Sequence, residues 1–187
     1  MGVSTLTERA VFLDRDGVVN RAVVRSGLPH PPSSLSELEI LPGVPQALVR
    51  LRAAGFRLIV VTNQPDVARG TQTREGVEVL HAALSAELPL DEFRVCYHDD
   101  PDGCDCRKPA PGLLLAAAQD YNLDLSASFM VGDRWRDIEA GRRAGCQTVF
   151  IDYGYAEAQP IHPDAQVQST FEAVAWILRN MERRNPQ

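Results

Sequence analysis

Short apolar runs alternate with longer amphipathic segments along the chain. The apolar runs are rich in β-branched residues, which is typical of strands buried in a parallel sheet. The longer segments repeat apolar residues at helical spacing, as Val77, Leu80 and Leu84 do. This alternation predicts βαβ units, and therefore an α/β fold in which helices flank a parallel sheet. The predicted strands span 10–14, 56–63, 92–98, 127–133 and 146–152, and the predicted helices span 44–54, 73–88, 111–121, 135–145 and 170–183.

Length and composition favour a single globular domain, 1–187. Of the 187 residues, 44% are hydrophobic and 24% are charged, which is ordinary for a soluble domain. The net charge of −6 argues against a nucleic-acid partner, because such proteins usually present a basic face. The N-terminal segment 1–17 lacks the apolar core of a signal peptide, and no apolar run is long enough to span a bilayer. We therefore expect a cytoplasmic protein that binds no membrane and, in the absence of heptad repeats, is a monomer.

Polar residues stand at the ends of three predicted strands. They are Asp14, Thr62 and Asp133. In an open α/β sheet, ligands bind beyond the carboxyl ends of the strands, so these three segments are expected to converge on one site. The proline-rich segment 27–37 is predicted to be a long loop, which is either a surface excursion or a border of that site.

The segment DRDGVVN (14–20) carries the strongest local signal. Asp14 can present a nucleophilic carboxylate, Asp16 can serve as an acid or a base, and Gly17 permits a sharp turn between the strand and the next element. The alternative is a solvated loop with two unrelated acids.

Further motifs supply partners for these acids. Thr62 can hold a phosphate, and Arg107 and Lys108 precede a predicted helix whose N-terminus favours anions. The alternative for the two basic residues is a solvated surface pair. Asp133 adds a third carboxylate, the ligand type that suits Mg²⁺. The role of Asp137 is left open: it is a solvated acid on a helix face, an outer partner of the metal site or a direct metal ligand.

Three cysteines and a histidine are concentrated in the loop 96–106. A Cys₃His ligand set is that of a closed, tetrahedral structural zinc site, whereas a catalytic zinc keeps one position open for water. The alternative is a set of free thiols. The candidate zinc ligands are Cys96, His98, Cys104 and Cys106.

The order of these motifs resembles that of the haloacid dehalogenase (HAD) superfamily of aspartate-nucleophile phosphatases. The resemblance covers residues 10–155. The segments DRDGVVN, TNQPDVARG and CRKPAPG, together with the Cys/His cluster, are similar to subfamily IIIA, the group that contains heptose bisphosphate 7-phosphatases and histidinol-phosphate phosphatases. This group implies a Rossmann-like fold without a large cap domain and with a zinc loop near the site.

The resemblance also implies a role for each matching residue. Asp14 would attack phosphorus and form an aspartyl-phosphate, and Asp16 would protonate the leaving alcohol and then activate water. Asp14, the backbone carbonyl of Asp16 and Asp133 would bind Mg²⁺. The remaining candidates would contact phosphate or sugar; they are Thr62, Asn63, Arg107, Lys108 and Asn20.

The implied activity is Mg²⁺-dependent hydrolysis of a small phosphorylated metabolite. The favoured substrate is D-glycero-D-manno-heptose 1,7-bisphosphate or a similar sugar phosphate, because ARG (68–70) resembles the heptose enzymes. Histidinol phosphate is the alternative, because the spacing between His98 and Cys104 is short. A phospho-acceptor signalling domain is a third possibility, although it needs no acid or base at position 16. A catalytically inactive, zinc-stabilised binding module is the fourth.

Overall fold

The computed structural model describes residues 7–184, so the first six residues of the segment inspected for a signal peptide lie outside it. Within this range, eight strands and five helices follow in the order strand, strand, strand, helix, strand, helix, strand, helix, strand, helix, strand, strand, helix. The strands are β1 (Ala10–Leu13), β2 (Val23–Arg25), β3 (Leu28–His30), β4 (Arg57–Asn63), β5 (Glu92–Cys96), β6 (Phe129–Gly132), β7 (Gln147–Ile151) and β8 (Ala165–Val167), and the helices are α1 (Val44–Ala53), α2 (Arg74–Glu87), α3 (Gly112–Tyr121), α4 (Trp135–Ala144) and α5 (Thr170–Arg184).

Six of the strands form one parallel sheet in the order β5-β4-β1-β6-β7-β8. Strand β1 is central, with Leu13 paired to Val60 of β4 on one side and to Val131 of β6 on the other. The chain crosses from β5 over to β6, so the strand order reverses beside β1. Ligand sites of open α/β sheets lie at such a switch point, and here it brings together the carboxyl ends of β1, β4 and β6.

Helices cover both faces of the sheet, as the apolar runs in the sequence indicated. Val11 and Leu13 of β1 belong to the core beneath α1 and α5, whereas Ala10 and Phe12 belong to the core beneath α3 and α4. All four side chains are fully buried. The continuous apolar run of β1 follows from this double burial, since a strand with one solvated face would alternate apolar and polar residues.

Two elements were not predicted from the sequence. Strand β8 extends the sheet beyond β7. Strands β2 and β3 form an antiparallel hairpin, so the predicted loop 27–37 in fact begins with the turn and second strand of that hairpin. The connection Ser26–Gly27 has positive φ at both residues, 52° and 78°, as a two-residue type I′ turn requires.

The ends of the predicted elements were placed close to those observed. Gly145 ends α4 in the left-handed conformation, with φ of 87°, as expected for a glycine that closes a helix. Strand β5 ends at Cys96, two residues short of the predicted end, so His98 lies in the loop beyond it. Among the described helices, none combines the length and the apolar character needed to cross a membrane.

Candidate active site

The loop after β1 places Asp14 against the end of β6. The Asp14 backbone N–H donates to the carbonyl of Val131 at 2.9 Å. Gly17 follows with φ of 92°, and a Cβ atom there would lie 1.8 Å from Oδ2 of Asp133. No other residue type fits this position, because a side chain would be strained in the left-handed region and would displace the Asp133 carboxylate.

Lys108 is buried between two carboxylates. Its ammonium lies 2.7 Å from Asp14 Oδ1 and 2.6 Å from Asp137 Oδ1. It donates a third hydrogen bond to the carbonyl of Val61 at 2.8 Å, so all three ammonium protons have an acceptor. Burial acts to lower the pKa of Lys108, but the charges of Asp137 and Asp14 outweigh it and raise that pKa above its usual value. Lys108 is therefore a fixed cation beside Asp14.

Asp133 lies beside this group with 1% of its surface exposed. Neither carboxylate oxygen has a hydrogen-bond partner of good geometry among the described residues, although the hydroxyl of Tyr155 is near enough to lower its pKa slightly. Burial and the charge of Asp14 raise the pKa of Asp133 well above its ordinary value. Burial likewise raises the pKa of Asp14 to about 7, against the opposing charge of Lys108.

These carboxylates form a group that fits a divalent cation. Oxygen atoms of Asp14, Asp133 and Asp137 lie within 4.8 Å of one another. A bound cation would favour the ionised form of each acid and provide the unpartnered oxygens of Asp133 with a ligand. The carboxylate of Asp16 is not part of this group.

Asp137 is not a solvated helix-face acid, one of the three roles left open for it. It is 2% exposed. Its Oδ1 contacts Lys108, and its Oδ2 accepts the backbone N–H of Arg134 at 3.0 Å at the start of α4. Both oxygens thus have a protein partner, which distinguishes Asp137 from Asp133.

The carboxylate of Asp16 is bound by donors of its own. Its two oxygens accept from Nε and Nη2 of Arg15, both at 3.0 Å. The amides of Asn20 and Gln64 each add one further donor at 3.0 Å. Asp16 is therefore held in one orientation by four donors.

The end of β4 positions the segment that carries Lys108. The Asn63 side chain donates to the backbone carbonyl of Lys108 at 3.0 Å and accepts its N–H at 3.1 Å. The Thr62 hydroxyl accepts from the amide of Gln64 at 2.9 Å. The sequence predicted ligand contacts for Thr62 and Asn63; in the structure both line the cleft, and Asn63 also fixes the backbone of Lys108.

A cleft of about 250 Å³ opens above Asp14, Asp16 and Lys108. Its rim carries four arginines against two acids, Asp66 and Asp100, and each guanidinium is paired with a carboxylate; Arg107, for example, donates to Asp100 at 2.7 Å. The hairpin contributes Leu28, Pro29 and His30, so the proline-rich segment does border the cleft. The basic residues on the rim are Arg69, Arg107, Arg134 and Arg136.

Two sequence-based assignments differ from the observed geometry. Asn20, a candidate for substrate contact, is fully buried behind Asp16, and its amide donates to Asp16 and to the carbonyl of Arg21. It does not reach the cleft. The sequence assigned His30 no role at the site, but it lines the cleft; no spacing in the sequence indicated this, because the hairpin that carries it was not predicted.

The four candidate zinc ligands converge beside the cleft. The sulfur atoms of Cys96, Cys104 and Cys106 are 3.1 to 3.7 Å apart, and His98 Nδ1 lies 3.3 Å from Cys106 Sγ. These separations are longer than a disulfide bond and near the roughly 3.8 Å between sulfurs around a tetrahedral zinc ion. The cluster fits a closed zinc site, with Arg107 and Lys108 directly after its last ligand.

Comparison with known proteins identifies the family. A model of the HAD-hydrolase-like family matches residues 105–175. The D-glycero-β-D-manno-heptose-1,7-bisphosphate 7-phosphatase of Escherichia coli K12 is 36% identical over 186 residues, covering 92% of this chain and 89% of the relative. The chain belongs to the heptose-1,7-bisphosphate 7-phosphatase family of HAD-like hydrolases. A second member, from Thermosynechococcus vestitus, is 36% identical and covers 94% of this chain and 98% of its own.

A solved structure of the same family supports the fold. The D,D-heptose 1,7-bisphosphate phosphatase of B. bronchiseptica, crystallised with magnesium and phosphate, matches with a TM-score of 0.75 and 29% identity, covering 92% of this chain and 99% of that one. The predicted HAD fold and the predicted enzyme class, a phosphatase, are thereby confirmed.

Proposed function

We propose that the chain is a Mg²⁺-dependent phosphatase that removes the 7-phosphate of D-glycero-D-manno-heptose 1,7-bisphosphate. The observation that carries this proposal is the arrangement of Asp14, Lys108 and Asp133 at one end of the sheet. It combines a carboxylate nucleophile, a buried cation and an unpartnered buried carboxylate, beneath a cleft with a basic rim. The choice of substrate rests on the names of the relatives, which are heptose-1,7-bisphosphate 7-phosphatases.

Asp14 and Asp133, with the backbone carbonyl of Asp16, would hold Mg²⁺. Asp137 supports the site from behind, because its two oxygens already bind Lys108 and the N-terminus of α4. Mg²⁺ bound there supplies positive charge that favours ionised carboxylates and lowers the repulsion between Asp14 and the phosphoryl group.

In the first step, a carboxylate oxygen of Asp14 attacks phosphorus, and the bond to the sugar oxygen breaks. For this step Asp16 must be protonated, which replaces one of the four hydrogen bonds that its oxygens accept; it donates that proton to the sugar oxygen, so the sugar leaves as an alcohol. Thr62 binds a phosphoryl oxygen, and the charge of Lys108, whose three protons are held by protein acceptors, offsets the negative charge that gathers around phosphorus.

In the second step, Asp16 accepts a proton from water as the water oxygen attacks the aspartyl-phosphate. The acyl–phosphate bond breaks, inorganic phosphate leaves and Asp14 returns as a carboxylate. Dividing the displacement into two steps lets one residue, Asp16, serve as acid and then as base.

The Cys/His cluster would bind one structural Zn²⁺. Its four ligands fill a tetrahedral shell, so no open position remains for substrate or water. Zinc thiolates require reduced cysteines, which supports a reducing compartment such as the cytoplasm. We also expect a monomer, which a sedimentation experiment would test.

A panel of phosphorylated metabolites tests the substrate assignment. With Mg²⁺ present, the α and β anomers of heptose 1,7-bisphosphate should give a kcat/KM at least about tenfold above that for histidinol phosphate or for the corresponding heptose 7-monophosphate, because the basic rim can bind a second phosphate. Phosphate release is the measurement, and a mock reaction without Mg²⁺ is the control. A higher kcat/KM for histidinol phosphate would overturn the assignment to a heptose.

A further inference from the structure

Arg15 stands between the two aspartates of the first motif, and its side chain is fully buried. Its guanidinium forms a bidentate pair with Asp16, through Nε to Oδ1 and Nη2 to Oδ2, both at 3.0 Å. The remaining terminal nitrogen, Nη1, lies 3.1 Å from Nε2 of His81. The mechanism above uses neither Arg15 nor His81, although burying a guanidinium this completely requires well-made partners.

His81 is fixed in the one tautomer that suits Arg15. It is 3% exposed on α2, and its ring stacks on Phe93 with centroids 4.4 Å apart. A guanidinium can only donate, so Nε2 of His81 accepts and the ring proton is on Nδ1. That nitrogen faces Glu78 Oε1 at 3.5 Å. Burial, followed by the charge of Arg15, lowers the pKa of His81 to about 4, so the ring stays a neutral acceptor at neutral pH.

The guanidinium fixes the plane of the Asp16 carboxylate. Two parallel hydrogen bonds allow one orientation, whereas a single donor would allow rotation about the last side-chain bond. Arg15 itself is held by His81, which extends the support from the loop after β1 to α2. The amides of Asn20 and Gln64 complete the four donors around Asp16.

We propose that Arg15, held by His81, is a positioning residue that orients Asp16 for proton transfer to the leaving group. The proposal rests on the function proposed above, in which Asp16 is the general acid and base. A misoriented Asp16 would slow proton transfer without weakening substrate binding, because neither Arg15 nor His81 lines the cleft.

The dependence on leaving group provides a specific test. A sugar alcohol leaves poorly and needs a proton, whereas p-nitrophenolate leaves without one. Arg15→Lys keeps the positive charge but loses the planar fork. We expect its kcat/KM for heptose 1,7-bisphosphate to fall about 10- to 100-fold and its kcat/KM for p-nitrophenyl phosphate to fall less than about fivefold. The ratio kcat/KM is compared because it reports the first step, whereas the second step, in which Asp16 is the base, is common to both substrates.

Two variants of His81 test whether the contact between His81 and Arg15 supports Asp16, and both leave Arg15 itself unchanged. His81→Gln places an amide oxygen where Nε2 accepts, and should keep both rates within about threefold of the wild type. His81→Met has similar length but no comparable acceptor, and should show the selective loss on the sugar phosphate. Arg21→Lys is the matched control, because Arg21 also forms a bidentate pair with a carboxylate, that of Glu39, but the pair is exposed and Arg21 does not line the cleft.

The outcomes separate this inference from the proposed function. A wild-type protein that hydrolyses neither substrate overturns the function. An active wild type whose Arg15→Lys variant folds and loses both rates equally, or loses neither, overturns the inference alone. Thermal melting shows whether each variant folds. If Arg15→Lys does not fold, the two His81 variants provide the test. Equal rates of His81→Gln and His81→Met on the sugar phosphate would count against the positioning role.

Discussion

Asp14→Asn is expected to reduce phosphate release by about 10⁴-fold or more, because loss of a covalent nucleophile removes the route through the intermediate. The fold should persist, since Lys108 keeps its ion pair with Asp137 and one of several crowded buried carboxylates becomes neutral. Steady-state release of phosphate and mass spectrometry of rapidly quenched protein are the measurements. The wild type should carry a phosphate adduct on the peptide that contains Asp14, and the variant should carry none.

Asp152→Asn is a suitable control for this substitution. Asp152 directly follows β7, as Asp14 follows β1, but its oxygens accept from Gly154 and Gln166 outside the cleft. Its replacement should leave kcat within about twofold of the wild type. Near-normal turnover by folded Asp14→Asn would exclude the covalent mechanism.

Cys104→Ser should have the second large effect, on zinc content and stability. The sulfur of Cys104 lies 3.4 Å from that of Cys106 and 3.7 Å from that of Cys96, so its loss opens the proposed tetrahedral shell. Bound zinc should fall from about one ion per chain to a small fraction, and stability should fall by on the order of 3 kcal/mol or more, as is usual when a structural metal is lost. Because Arg107 and Lys108 follow the last ligand, activity should fall with stability.

Cys146→Ser provides the comparison, because Cys146 is a buried cysteine outside the cluster. It should retain one zinc ion per chain, and any destabilisation should come from packing alone. Elemental analysis of both variants measures the bound zinc, and thermal melting measures their stability. A Cys104→Ser protein with full zinc content and unchanged melting would show that the cluster is not a structural zinc site.

The sequence predicted the parallel sheet because strands buried on both faces leave a strong signal. The runs that became β1, β4 and β6 have continuous apolar centres, and the helices predicted between the strands repeat apolar residues at helical spacing. Strand β8 has three residues, AQV, of which two are partly buried, and so short a segment has no detectable period. The β2–β3 hairpin did leave a signal in its Ser-Gly turn, which the neighbouring prolines obscured.

The candidate site was predicted through its motifs, whereas its internal contacts were not. The convergence of Asp14, Thr62 and Asp133 followed from their places at strand ends, and that of Lys108 from its place before a predicted helix. The pairing of Asp137 with Lys108, and of Arg15 with His81, joins residues that are 29 and 66 positions apart. Such contacts depend on how α4 and α2 lie on the sheet, which no local pattern specifies. For this reason the sequence left the role of Asp137 open and assigned no role at the site to His81.

The proposed 7-phosphatase activity is tested most directly by ³¹P NMR of the reaction with heptose 1,7-bisphosphate and Mg²⁺. We expect the signal of the 7-phosphate to disappear, one equivalent of inorganic phosphate to appear, and the phosphate at the anomeric carbon to remain. Asp14→Asn under the same conditions should leave both signals unchanged. Loss of the anomeric phosphate, or no release of phosphate by folded, zinc-loaded wild-type protein, would contradict the account.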